Sequence, residues 1–173
     1  MARLHFAFLA LKFVIFGLGV HHTEATAKCR NGWIQFEQSC YLFVTSSETW
    51  VEHMQHCVDV GGHLATVNNA AEDSFLEAEV QRRHASFWIG GTDVNKNNTW
   101  VWIAGNNPVP MHHCGRSNNF CAWGEHEPNN AHGHEHCLEL HIHLHWNDNE
   151  CTLLQGAICE AKPIPHGHWI TLG

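Results

Sequence analysis

The sequence predicts an α+β domain held by disulfides, in which two helices flank small antiparallel sheets and a long loop region carries the functional residues. Three observations predict it. Two segments carry apolar residues at helical spacing behind capping signals. Aromatic and β-branched strand segments follow them. Eight cysteines, all beyond residue 27, sit in a chain of 173 residues. That length fits one domain behind a leader.

Residues 1–27 read as a signal peptide. Arg3 supplies the positive start, residues 6–20 are mostly apolar, and Ala25-Thr26-Ala27 offers a small-x-small cleavage site. A membrane anchor needs about 20 apolar residues. This run is shorter and Lys12 interrupts it. The mature chain is therefore expected to be secreted and extracellular, with no membrane span. Eight cysteines in so short a secreted chain imply a disulfide framework. Counting alone leaves the connectivity open among on the order of 100 pairings.

The formal charge is −8, and loss of Arg3, Lys12 and Glu24 with the leader makes the chain slightly more acidic. An acidic chain without a basic cluster is a poor nucleic-acid binder and a natural partner for cations. The 18 histidines change charge near about pH 6.5, so this acidity erodes under mildly acidic conditions.

Residues 29–41 hold Cys29 and Cys40 around Trp33, Ile34 and Phe36 and read as a disulfide-closed hairpin. Thr45 with Glu48 matches a capping box, and Trp50, Met54, Cys57 and Val58 continue at helical spacing. Gly61-Gly62 stops that helix. A second helix starts near Asn69, with Glu72 three positions on, and runs through Phe75, Leu76, Glu79 and Val80 toward Arg82. Residues 87–90 and 99–103 have strand composition. Residues 105–133 are rich in Asn, Gly, Pro and His, and long loops inside compact domains are usually functional or disordered. Residues 137–146 and 157–159 read as closing strands. The domain is placed at residues 28–162, with a tail over 163–173. Trp88, Trp100, Trp102 and Trp146 are assigned to the core.

The chemistry concentrates in Glu127-Pro128-Asn129-Asn130, then Glu135 before Cys137, then Trp146-Asn147-Asp148 before Cys151. Three carboxylates and two amides form an oxygen donor set of the kind calcium prefers. Any one of these residues could belong to an ordinary polar turn; the set at these spacings points to a site.

Residues 29–160 resemble the long form of the C-type lectin domain. The resemblance rests on Cys57 with Gly61-Gly62-His63-Leu64-Ala65, Trp88-Ile89-Gly90, Glu127-Pro128-Asn129, Trp146-Asn147-Asp148 and Cys159-Glu160. It implies the pairs Cys29–Cys40, Cys57–Cys159 and Cys137–Cys151, with Cys114–Cys121 closing an extra loop. It implies a cis peptide at Pro128 and a principal calcium held by Glu127, Asn129, Glu135, Asn147 and Asp148. In that family two neighbouring sugar hydroxyls meet the ion while its carboxylates accept and its amides donate, a dual role open to Asn. The Glu127–Asn129 order resembles the mannose type, covering mannose, N-acetylglucosamine and fucose. The positions matching the family's auxiliary calcium are Asp93, Asn97, Asn130 and His136. Only Asp93 keeps a carboxylate there, so the auxiliary site is expected to be absent or very weak.

The histidines allow further readings. His132, His134 and His136 crowd the calcium loop, where protonation is expected to weaken calcium and sugar binding below about pH 6.5. His141, His143 and His145 alternate with Leu140, Ile142 and Leu144, which by itself describes one strand with a histidine face able to take Zn2+ or Cu2+. The family resemblance instead implies a tight turn between Cys137 and Trp146. His132-x-x-Glu135-His136 matches a zinc-peptidase spacing, but that motif needs a helix, and Gly133 with the upstream Pro128-Asn129-Asn130 argues against one. No nucleophile constellation appears, so the chain is read as a binding protein and not an enzyme. Its expected partners are mannose-type glycans on cell or microbial surfaces. The competing reading is a histidine-rich extracellular matrix protein that binds metal or mineral on the same scaffold. Asn97-Asn98-Thr99 is a glycosylation sequon. No coiled-coil or collagenous stalk is present, and pairing through loops is compatible with the sequence.

Overall fold

A computed structural model describes residues 27–96, 98–111, 114, 120–143 and 145–165. Most of the leader, residues 166–173 of the tail, and the sequon residue Asn97 therefore lie outside the described residues. The N-terminal hairpin pairs β1 (Ile34–Phe36) with β2 (Ser39–Glu48), and the Cys29–Cys40 disulfide closes it. Helix α1 (Trp50–Asp59) follows, then β3 (His63–Leu64), α2 (Ala70–Arg83), β4 (Phe87–Thr92), β5 (Val101–Trp102) and β6 (Asn107–Pro108). After the long loop come β7 (Glu135–His141), β8 (His145–Glu150) and β9 (Gln155–Ala161).

The helix boundaries follow from capping. Helix α1 opens on a capping box formed by Thr49 and Glu52, not Thr45 and Glu48 as the spacing first suggests. Both pairs have the same spacing, but Val44 and Glu48 are committed to β2, in register with Ala157 and Gln155 of β9. The sheet ladder satisfies those backbone groups and pushes the helix start along by one box. Helix α2 starts at Asn69, whose side-chain oxygen accepts from the amides of Ala71 and Glu72. Gly61 ends the first helical region at a φ of 80°, a left-handed conformation suited to glycine. A side chain on Gly62 would collide with the Glu160 carbonyl, which is why β3 can pack so closely on β9.

The sheet runs β1-β2-β9-β4-β5-β6, with β3 beside β9 and β7 joining β4 to β8. Only β4 against β9 is parallel among the paired strands; the other pairs are antiparallel. One core gathers Leu76 and Val80 of α2 with Phe87, Ile89, Trp100, Trp102, Leu138, Leu140 and Trp146. A second, around Trp50 and Trp88, buries the Cys57–Cys159 disulfide and the Cys137 end of Cys137–Cys151, with Cys151 half-buried against it. Trp88, Trp100, Trp102 and Trp146 are all buried. The segments flanking the domain pair where Lys28 exchanges two backbone hydrogen bonds with Ile164, the second residue of the assigned tail.

Residues 137–146 are not one strand. The β7–β8 hairpin turns between His141 and His145, which face each other in register, and His145 adopts a φ of 60°. Trp146 faces the core and buries its ring against Trp102 and Trp123, and that contact drives the turn. A left-handed His145 thus serves where Gly or Asn would be the usual choice.

The Trp146 indole nitrogen donates to Asp73 on α2 at 2.8 Å. Burial pushes Asp73 up to about 6, against the Trp146 hydrogen bond, with Glu77 and Glu72 adding and His145 opposing. The folded protein thus holds a proton there more tightly than the unfolded chain. The stability this group contributes falls as pH rises from about 4 to about 6. Asp73→Asn keeps an acceptor for Trp146 and removes this titration. In urea unfolding with chelator present, the variant is expected to gain about 3 kcal/mol on wild type between pH 4 and pH 7. A stability difference constant with pH would refute the assignment.

Candidate functional site

The long loop is clamped to β8 before it reaches the site. Ala122 accepts from the Trp146 amide and Trp146 accepts from the Gly124 amide, at 3.0 and 2.8 Å. The Cys114–Cys121 disulfide closes the loop upstream. The Glu127–Pro128 peptide is cis, and His126, Asn130 and His132 have positive φ. Left-handed backbone at three non-glycine residues is uncommon and persists where the surroundings over-determine it.

Four of the five sequence-assigned residues meet in one hydrogen-bonded network. Glu127 accepts from the backbone and side-chain nitrogens of Asn129, at 3.1 and 2.8 Å. Asp148 accepts from the backbone amides of Asn129 and Asn130 at 3.0 and 2.8 Å. Glu135 accepts from the Ala131 amide at 2.7 Å, while its own amide donates to the Asn130 side chain at 3.1 Å. The fifth residue, Asn147, donates instead to Glu139 of β7 at 2.8 Å. Glu139 is 1% exposed and does not stand out by motif; its signal is a carboxylate inside the apolar strand that follows Cys137.

The electrostatics are one-sided. Burial first, then contact with the Asp148 carboxylate, pushes Glu127 up to about 7. Burial also raises Glu135, the Ala131 amide opposes, Asp148 and Glu139 add, and His132 opposes. Among the described residues the Lys and Arg ion pairs are Arg82 and Arg83 with Glu79, far along the chain from this loop. Carboxylates crowded without a basic partner are relieved by a shared proton or a cation. The donor set, all oxygen, fits calcium in chemistry. Among the described residues, no three His, Cys, Asp or Glu side chains are arranged to hold a metal ion as they stand.

The auxiliary positions are used differently. Asp93 is buried; one oxygen contacts His136 Nδ1 at 2.8 Å and the other accepts from the Asn98 amide at 2.6 Å. His132 and His134 are exposed. His145 contacts Glu77 of α2, so the hairpin histidines line a cavity of about 320 Å³ beside that helix and form no flat strand face.

Known proteins share this architecture. The Lectin C-type domain family matches residues 46–161. The chain is 34% identical to perlucin from Haliotis laevigata over 143 residues, covering 80% of this chain and 86% of perlucin. Its fold is similar to the mouse scavenger receptor C-type lectin carbohydrate-recognition domain, with a TM-score of 0.68, 28% identity and coverage of 78% and 97%. It is similar also to a calcium-independent type II antifreeze protein, with a TM-score of 0.68, 25% identity and coverage of 83% and 99%. No helix among the described residues is long and apolar enough to cross a membrane. With its fold, four disulfides and matched residues, the chain belongs to the C-type lectin domain family, a family of binding proteins and not of enzymes.

Proposed function

We propose that this protein is a secreted lectin that binds mannose-type glycans through one calcium ion, in innate defence or at glycan-bearing cell surfaces. The observation that carries the reading is the network of Glu127, Asn129, Glu135 and Asp148, which gathers three carboxylates with no lysine or arginine partner among the described residues. A bound calcium supplies a Lewis-acidic centre for two neighbouring sugar hydroxyls. Glu127 and Glu135 accept hydrogen bonds from those hydroxyls. Asn129 donates its second amide N–H, the first being engaged with Glu127. Asp148 holds the loop through the amides of Asn129 and Asn130.

Retention on mannose-agarose with calcium, and release by chelator, is the expected result. The antifreeze neighbour described as calcium-independent makes the chelator arm decisive. No retention on any neutral sugar, with zinc or mineral binding intact, would favour the matrix reading instead.

One principal ion per chain is expected. Among the described auxiliary positions, both Asp93 carboxylate oxygens are engaged, with His136 and the Asn98 amide, and the Asn130 side-chain oxygen accepts from the Glu135 amide. The imidazole beside Asp93 takes the place where an auxiliary ion needs oxygen ligands. Calorimetric titration with calcium should give a stoichiometry near one; two strong sites would overturn this.

A further inference from the structure

We infer that Glu139, two residues beyond Cys137 in β7, is a positioning residue for the cation site: it holds the Asn147 amide by its nitrogen and presents the amide oxygen as a ligand. The inference rests on the calcium reading above. Glu139 and Asn147 are direct partners in the β7–β8 register, so their side chains lie on one face. A single Glu139 oxygen accepts from Asn147 Nδ2 at 2.8 Å and from Asn149 Nδ2 at 3.1 Å. The Glu139 side chain is essentially excluded from water.

An amide has one end that donates and one that accepts. A carboxylate accepts only, so Glu139 selects which end of Asn147 faces it. The oxygen is left on the other side, with one N–H still free for a sugar hydroxyl. Two amide donors on one oxygen are modest compensation for a buried carboxylate. Among the described residues no lysine or arginine pairs with it. A group so placed costs stability unless a countercharge arrives. A cation bound beside Asn147 provides one. Outer residues that orient metal ligands in this way contribute about 10–100-fold to metal affinity.

The test compares Glu139→Ala and Glu139→Gln with wild type in three measurements: calcium affinity by calorimetry, melting temperature of the calcium-free protein, and the Asn147 side-chain amide resonances. Glu139→Ala is expected to weaken calcium tenfold or more, with the calcium-free melting temperature unchanged or raised. The Asn147 amide protons should lose their hydrogen-bonded shift. Glu139→Gln keeps an acceptor and should recover part of the affinity. Calcium affinity within twofold of wild type in Glu139→Ala would overturn the inference, as would a loss matched by a lowered calcium-free melting temperature. A wild type that binds no calcium would instead defeat the lectin reading on which the inference rests.

Discussion

The double substitution Glu127→Gln with Asn129→Asp is expected to abolish retention on mannose-agarose. In the proposed site the pair exchanges the acceptor and the donor that would face the sugar while leaving oxygen ligands in place. Reversing two hydrogen bonds at about 1.5 kcal/mol each weakens mannose roughly a hundredfold. Calcium binding should change much less, because Glu135 and Asp148 remain and the aspartate introduced at position 129 restores a carboxylate. Asp148 takes the backbone amides of residues 129 and 130, contacts the substitution does not touch. Measuring sugar retention and calcium affinity on the same protein separates the two effects. Unchanged mannose retention would remove Glu127 and Asn129 from the site.

Loss of the Cys57–Cys159 disulfide is expected to have the largest effect on stability. The two cysteines are 102 residues apart in sequence and both are fully buried. Closing a loop of that length is worth about 4.7 kcal/mol in the chain-entropy account. The Cys29–Cys40 bridge spans 11 residues. Its loss should cost nearer to about 3 kcal/mol. Double alanine variants of each pair, unfolded in urea, should rank in that order. A larger loss from Cys29–Cys40 would show that native packing around the bridges, and not loop length, dominates. The Cys57–Cys159 bridge also joins α1 to β9, so its loss loosens the sheet on which β4 and β7 depend.

Local signals suffice where one interaction decides the outcome. Asn69 caps α2 because its side-chain oxygen reaches two free amides, a requirement visible in four residues. The start of α1 is not legible in that way. Thr45 and Thr49 offer equal capping boxes, and only pairing of β2 with β9, more than 100 residues away in sequence, chooses between them. The alternation from Leu140 to His145 reads as one strand when taken alone. Burial of Trp146 against Trp102 and Trp123 turns it into a hairpin and sends His145 to Glu77. Asp93 and His136 lie 43 residues apart, and their contact exists only because β4 pairs with β7.

Residue type and short-range order are enough to state the kind of protein: an acidic, cysteine-rich α+β domain with a set of carboxylates and amides at family spacing. How those residues are used depends on the folded chain. Folding joins Glu127, Asn129, Glu135 and Asp148 through backbone amides of one loop, turns Asn147 toward the buried Glu139, and gives Asp93 an imidazole partner. The reason is physical. Donor and acceptor groups across strands meet only after the sheet register is set, and register is chosen by the burial of distant side chains.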